Sequence, residues 1–259
     1  MKQGLVSVTF RQLSIKEIIK LAKENGLKYI EWGSEPHVPM GNVKLARRVK
    51  RLMHGAGLEC PSYGSYYGVT YSKGQHTPLM FKRVCKTAVA LGAKTVRIWA
   101  GWPGCGTIDA DGERRAVIHT REIAQIAKKY GLTLAFECHW GTITEDYHRS
   151  IEFLKKIDCD NVKIYYQPNP HKSVEYNLEA ARALLPWVTN VHVCNHHFIN
   201  GEFHKDSLEA GHLEWCKYLS VLENGDDRVY YLEFMPDGTP ASLPTECQCL
   251  KLFEKEIQK

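Results

Sequence analysis

Glu137, Gln167, His192 and Glu233 each close a short apolar run, in Leu-Ala-Phe-Glu, Ile-Tyr-Tyr-Gln, Asn-Val-His and Tyr-Leu-Glu, where a core strand would ordinarily continue. Two carboxylates, an amide oxygen and an imidazole are a donor set for a divalent cation. One polar strand end is ordinary. Four of them in the second half of the chain predict side chains gathered at one mouth by a closed parallel sheet.

The elements that must position them follow a repeated grammar. Helical patterns end at Gly26, Gly57, Gly92 and Gly131, and each glycine precedes an apolar run (Leu27 to Glu31, Leu58 to Cys60, Ala93 to Ile98, Leu132 to Phe136). Glycine suits the residue after a helix because the left-handed conformation costs it nothing. The intervals of 31, 35 and 39 residues match a strand, loop and helix in succession. Strands at Leu5 to Thr9, Val162 to Gln167, Asn190 to Val193 and Val229 to Glu233 bring the predicted total to eight. Ser14 to Glu17 reads as a capping box before Ile15, Ile18, Ile19 and Ala22. Further helices are expected at about 42–55, 78–91, 146–157, 177–185, 207–222 and 245–257. Eight alternations predict a (β/α)8 TIM barrel, α/β in class, as a single domain over residues 1–259. A doubly wound sheet is the alternative, but no G-x-G-x-x-G follows the first strand.

Strand alternation then sorts the side chains. With Glu137 inward, Cys138 turns outward and His139 returns to the mouth; Gln167 shares a face with Tyr165, and Glu233 with Tyr231. Trp32, Tyr63, Tyr66, Tyr67, Trp99, Trp102 and Trp140 all fall at or just past strand ends, where rings can pack on a sugar face or an aryl group. His37, His139 and His171 are candidates for substrate hydroxyls or for additional acid/base groups, and the expected substrate-binding set is His37, Tyr66, Trp99, Trp102, His139 and His171. Glu31 reads as either an orienting group or a buried ion pair, and His196 and His197 as a loop wall or a pair that supports the metal ligands from behind. Gly101 to Gly106 reads as a lid.

Composition excludes other classes. The formal charge is +5 and the pI about 8.6, yet basic and acidic residues are interspersed, so nothing demands nucleic acid. Nine cysteines without regular spacing, and a start lacking a signal-peptide pattern, predict a reduced cytoplasmic protein. No 18-residue apolar window exists, so no membrane span is expected. The chain is expected to work alone or as a homo- or hetero-oligomer.

Over nearly its whole length the chain resembles the xylose isomerase-like barrel superfamily, the sugar phosphate isomerase/epimerase or AP endonuclease family 2 group. That resemblance implies a single metal ion held by Glu137 in Phe-Glu-Cys-His-Trp-Gly, His192 in Val-His-Val and Glu233 in Tyr-Leu-Glu-Phe. Gln167 stands where the family usually has Asp, with the flanking Pro168-Asn169-Pro170-His171 supporting the alignment. A glutamine ligates through its carbonyl oxygen but brings no charge. Manganese is the expected metal, with magnesium, cobalt and zinc as alternatives.

The same resemblance implies that Glu137 and Glu233 are both ligands and acid/base groups, moving a proton next to a carbonyl through a metal-stabilised enediolate. The expected function is therefore a metal-dependent isomerase or epimerase of a keto-sugar or glycoside derivative. Ketohexose 3-epimerases carry an Arg six residues after the metal His; Phe198 stands there and disfavours that subgroup. No cluster of Arg and Lys at the mouth speaks for a phosphate; Lys172 and Arg97 are the candidates if one binds. The alternative is a lyase that cleaves a 3-keto-glycoside or C-glycoside by β-elimination with the same residues. An AP endonuclease is disfavoured because no later Asp-x-His element follows His192, and a non-catalytic sugar-binding subunit is the reading that Gln167 keeps open.

Overall fold

In the computed structural model, which describes residues 1–70 and 76–258, eight parallel strands close into one barrel. The strands are β1 (Lys2–Val6), β2 (Tyr29–Gly33), β3 (Ser62–Gly68), β4 (Thr95–Trp99), β5 (Thr133–Glu137), β6 (Val162–Tyr166), β7 (Val188–Val193) and, after a hairpin of β8 (Asn195–Ile199) and β9 (Glu202–Asp206), β10 (Val229–Leu232). Neighbours run β1-β10-β7-β6-β5-β4-β3-β2 around the ring. Helices α1 (Ile15–Glu24), α2 (Val43–Ala56), α3 (Pro78–Leu91), α4 (Ala110–Lys129), α5 (Tyr147–Ile157), α6 (Val174–Leu184), α7 (His212–Leu222) and α8 (Leu243–Ile257) form the outer layer. None of the described helices is long and apolar enough to cross a membrane.

The punctuation behaves as the sequence predicts. Ser14 and Glu17 form the capping box of α1, and Gly26, Gly57, Gly92 and Gly131 all take positive φ just beyond their helices. Outward strand residues such as Ile30, Val96, Ile98, Leu134, Phe136 and Ile164 join helix residues in one large core. A smaller cluster, Val6, Val8, Val229 and Tyr231, is separate from it. Between these apolar layers the middle of the barrel is polar.

Three elements differ from expectation. The third ladder begins at Ser62, beyond the apolar run Leu58 to Cys60, because Ser-Tyr-Gly-Ser-Tyr-Tyr-Gly buries tyrosine rings and polar groups instead of an aliphatic stripe. The first strand ends at Val6, and Ser7–Phe10 turn over the barrel as a 3-10 helix. Finally, His196 and His197 lie in the antiparallel β8–β9 hairpin. Its turn is Asn200-Gly201, both at positive φ, and an Asn-Gly pair between extended segments is a strong hairpin signal that the sequence carried.

Candidate active site

The floor of the mouth is a buried charge network drawn from β2, β3, β4, β5, β6 and β10. Glu31 Oε1 accepts from Arg97 Nε at 2.7 Å, and its Oε2 accepts from the Ser62 hydroxyl at 2.8 Å and the Tyr165 hydroxyl at 2.9 Å. Ser62 Oγ also lies 2.8 Å from the Tyr231 hydroxyl. Arg97 Nη1 donates to Glu137 Oε2, which also accepts from Trp99 Nε1 at 2.6 Å. A guanidinium can serve two carboxylates because its donors form a planar fork. Gly64 leaves room for that fork: a Cβ there would sit 2.7 Å from Arg97 Nη2 and 3.1 Å from Glu31 Oε1. Burial alone would raise the Glu31 pKa, but the Arg97 charge and His192 outweigh it and bring it down to about 2. The Glu137 carboxyl is likewise held down against burial, by Arg97 first and then by His192.

Above this floor, three strand ends converge on one atom. His192 Nδ1 lies 3.0 Å from Gln167 Oε1, 3.5 Å from Glu137 Oε1 and 3.3 Å from Glu233 Oε2. Its Nε2 points to Glu31 Oε1 at 3.7 Å and has no hydrogen-bond partner among the described residues. One N–H cannot satisfy three oxygens, whereas a divalent ion with bonds of roughly 2.1 Å sets neighbouring ligand atoms about 3 Å apart. Glu137, His192 and Glu233, all buried, have donor atoms within 4.8 Å of one another, as such an ion requires. The charges agree: Glu31, Glu137 and Glu233 against Arg97 leave two negative charges, which one divalent cation balances. The same surplus raises the His192 pKa well above its usual value, since Glu233, Glu137 and Glu31 overcome the effect of burial. The donor set therefore fits a divalent metal, with Gln167 as a neutral fourth donor.

The two carboxylates of the cup are not equivalent. Glu137 has Oε2 tied to Arg97 and Trp99, leaving Oε1 for the cup. Among the described residues Glu233 carries no such tie; its Oε2 faces His192. The residue after it, Phe234, has φ of 56°, strained for a residue other than glycine, and its N–H donates to Thr9 Oγ1 at 3.1 Å. Tyr66, near the C-terminal end of β3, shares that conformation at φ 54°.

A band of rings borders the cup. Tyr66 stands edge-on to Trp99 at 5.9 Å, and His139 stacks on Trp99 at 4.7 Å. Trp140 and Trp102 continue from His139, and His171 meets Trp140 edge-on and stacks on Phe198 at 3.9 Å. Trp102 and Trp140 remain 44 % and 42 % exposed, so this band offers open ring surface. The Tyr66 hydroxyl accepts from Arg11 at 2.8 Å.

Other candidates stand elsewhere. Trp32, Tyr63 and Tyr67 are fully buried and do not reach the rim. Trp32 follows the inward Glu31, so alternation turns it outward onto Met53, while the Tyr63 hydroxyl bonds Val38 O and that of Tyr67 meets His119. His37 is also buried, with Nδ1 on Ser7 and Nε2 on Leu13 O, leaving no nitrogen for a hydroxyl. Arg97, entertained as a phosphate anchor, is buried between two carboxylates. His196 lies among Phe203 and Phe234, and burial lowers its pKa to about 4. The glycine-rich loop 101–106 is fastened: Thr70 Oγ1 donates to Trp102 O at 2.7 Å and Cys105 N to Glu145 at 2.9 Å. The Trp102 ring lies so close over Gly141 that a Cβ there would be 1.9 Å from it. Glu31 forms the buried ion pair that is one of its two sequence readings, whereas its partner Arg97 is not read there, although Thr95, Arg97 and Trp99 alternate along β4 as inward residues must.

Comparison with known proteins agrees with this architecture. A 3-dehydroshikimate dehydratase of Bacillus anthracis is 23 % identical over 201 residues, covering 75 % of this chain and 72 % of that protein. The crystal structure of the probable 3-DHS dehydratase involved in petrobactin synthesis in the same organism superposes with a TM-score of 0.79 at 18 % identity, over 97 % of this chain and 99 % of the other. A xylose isomerase-like TIM barrel protein from Mycobacterium smegmatis, solved with magnesium, gives 0.77 at 15 % identity, over 99 % and 97 %. The model of the xylose isomerase-like TIM barrel matches residues 19–252, from the first helix to the last, and the chain belongs to that family.

Proposed function

We propose that this protein is a divalent-metal-dependent enzyme that removes a proton next to a carbonyl in a sugar-like, polyhydroxylated substrate. The observation that carries the reading is the convergence of Glu137, Gln167 and Glu233 on His192 Nδ1 at 3.0–3.5 Å. A bound divalent ion, manganese in the first instance, supplies positive charge against the oxygen that becomes anionic as the proton leaves. His192 and Gln167 hold the cup. Arg97 and Trp99 fix Glu137 through Oε2, so Glu137 serves mainly to hold and orient. Glu233 is the carboxylate with an oxygen to spare for the proton. The aromatic band from Tyr66 to His171 packs on the ring of the substrate.

Isomerisation or epimerisation is the outcome when the proton returns to the substrate. A second outcome, β-elimination, is favoured by the same asymmetry: epimerisation needs a proton carrier on each face of the carbon, whereas elimination needs one. The relative named as a 3-dehydroshikimate dehydratase supports that reading for a cyclic keto acid. The deciding experiment incubates manganese-loaded protein in D2O with keto-sugars, 3-keto-glycosides and 3-dehydroshikimate. Deuterium at the carbon next to the carbonyl without loss of a group supports isomerase chemistry. Release of water or aglycone supports the lyase. Neither exchange nor release from any of them would sink the proposal.

A further inference from the structure

A second group of unlike donors lies on the outside of the barrel, where α7 packs along α8. His212 opens α7 and Cys216 follows four residues later, so both stand on one helix face. Glu256, in the last turn of α8, reaches the same point, its Oε2 2.7 Å from His212 Nε2. The imidazole nitrogen, thiol sulfur and carboxylate oxygen all lie within 4.8 Å of one another. The His212 ring lies flat on Phe253, with centroids 5.0 Å apart and planes 12° from parallel. Because Phe253 is anchored in the core, the imidazole is held in plane before anything binds.

An ion pair between His212 and Glu256 would account for two of these groups and leave the third idle. A cation placed among the three engages all of them. We propose that His212, Cys216 and Glu256 form a zinc-type site that ties α7 to α8, separate from the barrel mouth. Nitrogen, sulfur and carboxylate oxygen together select a borderline-soft ion, and a thiolate excludes magnesium and calcium as natural occupants. On binding, the thiol proton passes to solvent, and thiolate plus carboxylate neutralise the two positive charges. His212 and Glu256 are 40 % and 51 % exposed, so water can complete a tetrahedral set.

Cobalt(II) is the direct probe, because thiolate-to-cobalt charge transfer absorbs strongly in the near ultraviolet. The donors at the mouth contain no sulfur, so such a band reports only a cysteine site. The full-length protein, stripped with chelator, is titrated with Co2+. The band is expected to appear, to persist in Glu137→Gln, to vanish in Cys216→Ser and to need about tenfold more Co2+ in His212→Ala. Zn2+ should displace it and raise the unfolding temperature of Glu137→Gln more than that of Glu137→Gln combined with Cys216→Ser. Absence of the band in folded protein at saturating Co2+, or its survival at full intensity in Cys216→Ser, overturns the site. Should Cys216→Ser fail to fold by circular dichroism, an unweakened band in His212→Ala is the overturning result.

Discussion

The two ends of the barrel handle charge in opposite ways. At the N-terminal end of the strands a cleft of about 920 Å³ opens, lined by Lys2, Lys50, Lys94, Lys163, Asp227 and Arg228 among others. Its ion pairs are local or exposed: Arg228 meets Asp226 two residues away, and Lys2 meets Asp227, which is 80 % exposed. At the other end, Glu31, Arg97, Glu137, His192 and Glu233 come from five strands and are nearly or fully buried, and rings from the rim crowd over them. The N-terminal cleft is lined by none of the residues of the proposed cation cup. Burying charges from distant parts of the chain costs several kcal/mol per ion before pairing, and three carboxylates, a guanidinium and an imidazole kept together mark that end as the candidate site.

Replacing a cup carboxylate makes the sharpest break between the two ends. Glu233→Gln should lower turnover by about 10³-fold while the far-ultraviolet circular dichroism and melting stay close to wild type. Glu137→Gln should lower turnover as much, release metal on dialysis because the ligand oxygen loses its charge, and melt below Glu233→Gln because Arg97 loses one of its two buried partners. Turnover at wild-type rate in Glu233→Gln would show that the proton carrier lies elsewhere.

Arg97→Met tests the floor. Two buried carboxylates lose their partner, and urea unfolding at neutral pH should report a loss of about 3–5 kcal/mol. The pH dependence carries the sign. Glu31 ionises near 2 in the fold against its ordinary 4.5, so its contribution is fully present above about pH 4.5 and is lost as pH falls toward 2. Wild-type stability should therefore drop across that window, and the drop should flatten in Arg97→Met. An equally steep drop in the variant would show that other carboxylates govern acid unfolding.

Gln167→Asp acts more gently. It adds a charge beside Glu137 and Glu233, and affinity for manganese by titration calorimetry should tighten about tenfold. An unchanged affinity would remove Gln167 from the ligand set.

Legibility in the sequence followed the kind of signal. The barrel was readable because helix ends carry glycines and strands carry apolar runs, and both report local physics. Glu137, Gln167, His192 and Glu233 were readable because a polar residue ending an apolar strand breaks a pattern. Trp32, Tyr63 and Tyr67 were misplaced to the rim because position near a strand end does not tell which face a side chain takes. For Trp32 the inward Glu31 beside it would have told. Ser62 and Tyr165 could not be read as partners of Glu31, since they lie 31 and 134 residues from it and no local pattern links them.

The smallest expected effect belongs to the opposite end. Lys2 and Asp227 form an ion pair with side chains 44 % and 80 % exposed. Water and salt screen such a pair, and holding two mobile side chains together costs entropy that offsets most of the attraction. Lys2→Ala should therefore change stability by less than about 1 kcal/mol and leave turnover unaltered. Its effect should shrink further in high salt, whereas the loss in Arg97→Met should persist because its charges are shielded from solvent ions. If Lys2→Ala cost as much as Arg97→Met, the two ends would be electrostatically alike and the contrast between them would carry no functional meaning.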